Sequence, residues 1–130
     1  MTRDKSEYIQ NWLFRADEDM AVMNDLIKSG AKKFTSTICF HAQQAVEKYL
    51  KAFLVYHNVD FPRTHDLDFL LFECQKIDEG PFDIKLKSLT DFGVSVRYPD
   101  DFYIPDTKEA LEYQDIAFKI ENTVKGKIII

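Results

Sequence analysis

Along the first thirty residues, apolar side chains recur three and four positions apart. Ile9, Leu13, Ala16, Met20, Met23 and Ile27 form one stripe, which Trp12 and Leu26 widen, so the spacing predicts an amphipathic helix from about Lys5 to Ser29. Gly30 follows as a C-terminal cap, because glycine accepts left-handed backbone without a steric penalty. A second helix is predicted from Thr35 to His57. At 100° per residue, its polar residues His41, Gln43, Gln44, Glu47, Lys48 and Lys51 fall in one wedge of about 160°. Ile38, Cys39, Ala42, Ala45, Val46, Tyr49, Leu50, Ala52 and Phe53 cover the remaining circumference, and Phe40 and Leu54 intrude into the wedge. Such a helix touches several neighbours and is expected at the centre of the domain.

Pro62 interrupts the pattern. A third helix is predicted near Thr64, with the threonine hydroxyl as its cap and Leu67, Leu70, Leu71 and Cys74 facing inward. Gly80-Pro81 breaks the chain again. A fourth helix is predicted from Asp83 to Ser95, with Leu86, Leu89, Phe92 and Val96 inward and Gly93 weakening its last turn. The stretch from Arg97 to Asp106 reads as an ordered loop with aromatic anchors. A fifth helix, capped by Asp106 or Thr107 and stopped by Gly126, would reach Lys125 with Ala110, Tyr113, Ala117, Ile120 and Val124 inward. The sum is an all-α, antiparallel bundle of about five helices, one domain over residues 1–130. Only 4 Gly and 4 Pro leave little material for the turns of an all-β fold. Ile128 to Ile130 would form an exposed apolar tail unless the domain or a partner covers it.

Charge narrows the function classes. A net charge of −5 argues against coating nucleic acid or anionic membrane by bulk electrostatics, while leaving room for a local basic site. The N-terminal residues lack the layout of a signal peptide, and no apolar run approaches the roughly 20 residues of a membrane span, so a cytoplasmic protein with no membrane contact is expected. Cys39 and Cys74 lie among apolar residues at no metal-binding spacing and read as buried free thiols. Gly-rich phosphate loops, HExxH, GxSxG and clustered metal ligands are missing, so neither a catalytic residue, a metal nor a cofactor is expected from motifs. The acids Asp17-Glu18-Asp19 and Asp100-Asp101 read as surface charge.

The remaining candidates are basic. His41, Gln44, Lys48 and Lys51 share one ridge of the second helix, Arg63 and His65 flank the third, and Arg97 follows the fourth. Converging, Lys48, Lys51, Arg63, His65 and Arg97 would line a cleft for a phosphate or nucleotide, with Tyr98, Phe102 and Tyr103 as stacking surfaces. The alternative leaves Lys48 and Lys51 on a solvated helix face, His65 at a helix start, His41 satisfied at the core edge, and Arg97 paired with Asp100 or Asp101.

Several segments together resemble the HEPN domain (higher eukaryotes and prokaryotes nucleotide-binding). They are Trp12 with ADEDM (Ala16 to Met20), FHAQQAVEKYLKA (Phe40 to Ala52), PRTHDL (Pro62 to Leu67) and RYPD (Arg97 to Asp100), followed by the capped last helix. The resemblance implies a bundle of about five helices, a homodimer, and nucleotide or RNA binding at a cleft. It also implies a nucleotidyltransferase partner in a toxin–antitoxin-like pair. Ribonuclease members carry an Arg and a His separated by four to six residues; counted from Arg97, those positions hold Phe102, Tyr103 and Ile104, none of which replaces an imidazole as a base. Binding without catalysis is therefore the expectation. Alternatives are a degenerate metal-independent ribonuclease with a relocated His, and a structural protein whose tail docks a partner.

Overall fold

Long stretches of apolar residues at 3.6-residue spacing fold as long helices. The computed structural model describes residues 3–93 and 103–130. In it α1 spans Arg3–Gly30, α2 Thr35–Tyr56, α3 Leu67–Ile77 and α4 Thr107–Lys127, with short 3-10 turns at Ala31–Lys33 and Leu89–Gly93. No strand occurs among the described residues, and the domain is an all-α bundle.

The predicted stripe of α1 is its buried face, with Ile9, Ala16, Met20 and Met23 inside. Gly30 ends the helix at φ 137°, outside the range side-chain-bearing residues adopt readily. The chain then turns back so that α2 lies along α1 on one side and α4 on another, while α3 and the second 3-10 turn close the remaining flank. Being surrounded explains the composition of α2. Ile38, Cys39, Ala42, Ala45, Val46, Tyr49, Leu50, Ala52, Phe53 and Leu54 are all buried, in more directions than one stripe could face.

Two local expectations are corrected. The third helix begins at Leu67 rather than near Thr64: Asp66 is its cap, accepting from the Phe69 amide at 3.2 Å, while Thr64 Oγ1 accepts from the Asp66 amide at 3.1 Å. Between Asp83 and Gly93 no α-helix forms. Lys87 sits at φ 56°, which breaks a right-handed helix, and only the 3-10 turn Leu89–Gly93 follows. Leu86, Leu89 and Phe92 nevertheless point inward as expected. Their spacing of three suits the three-residue repeat of a 3-10 turn as well as an α-helix. Val96 lies outside the described residues.

α4 is capped by Asp106, whose carboxylate accepts from the Glu109 amide at 2.7 Å. Gly126 does not stop it; the helix runs on to Lys127, and Ile128 folds back against the core. Ile129 and Ile130 are exposed. No helix of the described residues is long and apolar enough to cross a membrane.

Candidate functional site

A helix surrounded by neighbours can keep polar side chains only where partners satisfy them. On α2 the partner is often an acid. Glu47 is only 4% exposed and accepts from three groups. Lys51 Nζ, one helical turn on and itself 6% exposed, donates to Oε2 at 3.1 Å. His65 Nδ1 stands 2.8 Å from Oε1, and Gln43 Nε2 reaches the same oxygen at 3.4 Å. Facing a carboxylate, His65 Nδ1 carries the proton, which leaves Nε2 as the ring's outward acceptor in the neutral form.

The ammonium of Lys51 also lies over two aromatic rings, 5.4 Å from the centroid of Trp12 and 5.7 Å from that of Phe61. Gln43 completes the cluster by donating to the His65 carbonyl at 3.4 Å. Thr90 Oγ1 donates to that carbonyl at 3.3 Å and accepts from the Leu67 amide at 2.9 Å. The segment from Pro62 to Asp66 is thereby tied to the middle of α2. Arg63 rides on this segment two residues from His65, exposed and without an ion pair among the described residues.

A second buried acid repeats the arrangement. Asp19 of α1 takes His41 Nδ1 at 2.8 Å on one oxygen and Lys48 Nζ at 2.6 Å on the other. A third cluster brackets the Tyr49 hydroxyl, whose one proton faces Asp17 and, at 3.1 Å, Glu121; Lys125 bridges both carboxylates at 2.8 and 3.0 Å. Burial and these two acids push the Tyr49 hydroxyl far above the ordinary phenol range. Burial likewise raises the Cys39 and Cys74 thiols to about 12, with Glu109 and Glu73 adding to it respectively, so both are free, buried and inert. No group of three or more His, Cys, Asp or Glu among the described residues could hold a metal ion.

The placement of the predicted residues is therefore mixed. Lys51 and His65 meet on Glu47, with Arg63 beside them in sequence. Lys48 is committed to Asp19 with His41, on the α1 side. Neither lysine is on a freely solvated face, and Asp19 is not surface charge: it is buried, with Lys48 and His41 of α2 on its two oxygens. His65 precedes the helix cap instead of starting the helix. Arg97, Tyr98, Asp100, Asp101 and Phe102 lie outside the described residues. Tyr103 is exposed and donates to Glu109 at 2.7 Å. Glu47 is the residue that sequence reasoning left without a role. Its available signal was an acid four residues before Lys51 on an otherwise apolar helix.

Beside the cluster lies a recess of about 320 Å³, lined by Lys5, Tyr8, Val55, Asn58, Val59, Asp60 and Phe61. It shares the Phe61 ring with Lys51, and Tyr8 packs edge-on against Trp12 at 5.9 Å.

Comparison with known proteins adds the following. Residues 9–127 match the HEPN domain. The crystal structure of an archaeal HEPN homologue superposes with a TM-score of 0.67 at 23% identity, covering 99% of this chain and 100% of that one, which is a likeness of fold. No curated protein matches.

Proposed function

Because the chain belongs to the HEPN domain family, we propose that it is a nucleotide- or RNA-binding module acting as a homodimer with a nucleotidyltransferase partner, in a toxin–antitoxin-like pair. The observation that supports binding is the buried Glu47 carboxylate, which braces the Arg63–His65 segment against α2. Burying a charge in a helix is costly and is tolerated where its partners are fixed by it. Here the fixed partner is a half-exposed imidazole, and the Arg63 guanidinium, able to fork onto two phosphate oxygens, lies on the same segment. Lys48, Lys51, Arg97 and Tyr98 join the proposed site through the family resemblance, Lys51 acting behind His65 because its own ammonium is enclosed.

Titration calorimetry with a nucleotide panel and a short RNA tests the reading. Binding should weaken in Arg63→Ala and His65→Ala and fall with salt, as phosphate contacts require. A folded protein that binds neither nucleotide nor RNA refutes it. For the partner, the expected outcome is co-purification with a nucleotidyltransferase encoded beside it, and recovery of each protein alone would count against the pair.

A second reading has its own observation. With Nδ1 held by a carboxylate and Nε2 outward, His65 has the orientation a general base needs. A metal-independent ribonuclease built on it would cleave RNA in the presence of a chelator and lose cleavage in His65→Ala and in Arg97→Ala. Cleavage unchanged in both variants removes that reading.

A further inference from the structure

We propose that the recess between the first turns of α1 and the chain leaving α2 is a nucleobase pocket that prefers guanine. This inference rests on the nucleotide-binding reading above and gives it a base-recognition element. The recess is about 320 Å³, within the range of small-ligand sites. Two aromatic side chains, Tyr8 and Phe61, line it, and Tyr8 is half exposed. Val55 and Val59 also line it and add apolar surface, an environment that suits a flat, weakly solvated ring.

The polar groups at the recess decide which end of a nucleotide enters. Asp60 is an exposed carboxylate, an acceptor that repels phosphate. Lys5 is engaged, donating to the Tyr56 carbonyl at 3.1 Å and to Asn58 Oδ1. That bond orients the Asn58 amide: its Oδ1 is taken, and its NH₂ makes no hydrogen bond among the described residues. Asn58 itself is held at φ 60°, and the Val59 amide bonds the Leu54 carbonyl at 2.9 Å, so the turn is fixed by backbone hydrogen bonds. The recess therefore offers a carboxylate acceptor and an amide donor together. Guanine presents N1–H and N2–H to one carboxylate and O6 to a donor, a charge-assisted pairing that adenine and cytosine lack.

Geometry connects this pocket to the phosphate side. Phe61 lines the recess and also covers Lys51, which is bonded to Glu47 and through it to His65. Arg63 is two residues past Phe61, so its backbone lies at most about 7 Å farther along the chain. A base against Phe61 leaves the phosphate of the same nucleotide within reach of the long Arg63 side chain.

The experiment is calorimetric titration of the full chain with GMP, AMP, UMP and CMP, repeated for Asp60→Asn, Tyr8→Ala and Arg63→Ala. Both pocket positions are exposed, and circular dichroism verifies that each variant keeps the helical fold. The parent should bind GMP about tenfold more tightly than AMP, the size of one hydrogen-bonded pair involving a charged group. Asp60→Asn should erase the preference, Tyr8→Ala should weaken all four ligands severalfold, and Arg63→Ala should weaken all four without altering their order. Binding of GMP equally well by the parent, Asp60→Asn and Tyr8→Ala overturns the pocket and leaves the broader reading standing. If the parent binds RNA but no mononucleotide, the same variants are compared on guanine-containing and guanine-free oligonucleotides, with the same two outcomes. No binding of any nucleotide or RNA overturns both proposals.

Discussion

Replacing Glu47 by glutamine keeps the shape of the side chain and removes its charge. Lys51 would then be a 6% exposed ammonium with no ion-pair partner among the described residues, and His65 and Gln43 would compete for one remaining acceptor oxygen. Removing one partner of a buried pair costs about 3–5 kcal/mol. Two features reduce that figure. The Trp12 and Phe61 rings continue to attract the ammonium, and the flexible lysine stem allows the head some escape to water. A loss of about 2–4 kcal/mol is expected, a large part of the roughly 5–15 kcal/mol that holds a domain together. With a urea slope of about 2 kcal/mol per molar, the midpoint should fall by roughly 1–2 M. Urea unfolding followed by far-UV circular dichroism and by the fluorescence of Trp12, the sole tryptophan, measures it. The double variant Glu47→Leu with Lys51→Met removes both charges and should be more stable than Glu47→Gln alone. A Glu47→Gln midpoint within about 0.25 M of the parent's, which is about 0.5 kcal/mol at that slope, would refute the reasoning, because it would mean that the pair is solvated in solution.

Three other outcomes follow. Gly30→Ala should cost about 1–3 kcal/mol in the same unfolding assay; the space around the glycine is open, so the cost is the backbone at φ 137° and not a clash. With their thiols raised to about 12, Cys39 and Cys74 should resist a thiol-specific chromogenic reagent at pH 8 in the native protein and react fully in denaturant. Burial, helped by the charge of Lys5 and opposed by that of Asp78, lowers the proton affinity of His57 in the folded state. The unfolded chain then binds the proton more readily, so this group's effect is absent above the usual histidine range and destabilises as the pH falls below about 6.5. His57→Gln should flatten that part of the stability profile, measured as urea midpoints from pH 7.5 to 5.5.

How much of this was legible in the sequence depends on the range of the interaction. α1, α2 and α4 follow from apolar spacing sustained over 21 to 28 residues, which only helices satisfy. The stretch from Asp83 onward was ambiguous because Leu86, Leu89 and Phe92 are spaced by three, and a left-handed residue at Lys87 is not marked by glycine. In the site, the basic residues were visible, but their acids were not. Lys51 and Glu47 are one turn apart on one helix, whereas Asp19 meets His41 and Lys48 only because α1 packs on α2. Side-chain chemistry shows which groups need partners; the packing of helices decides which partners arrive.

The position of α2 between α1 and α4 also bears on how the molecule is made. On a ribosome, α1 and α2 emerge together and can pair as a helical hairpin. The flank of α2 around Tyr49 gains Glu121 and Lys125 only after some seventy further residues have been added. Through that interval the growing chain exposes an apolar groove in which the Tyr49 phenol has Asp17 of α1 as a partner and still lacks Glu121 and Lys125. A nascent chain of this design is a natural client for chaperones, and a separately supplied α4 peptide is the ligand its unfinished groove is shaped to accept.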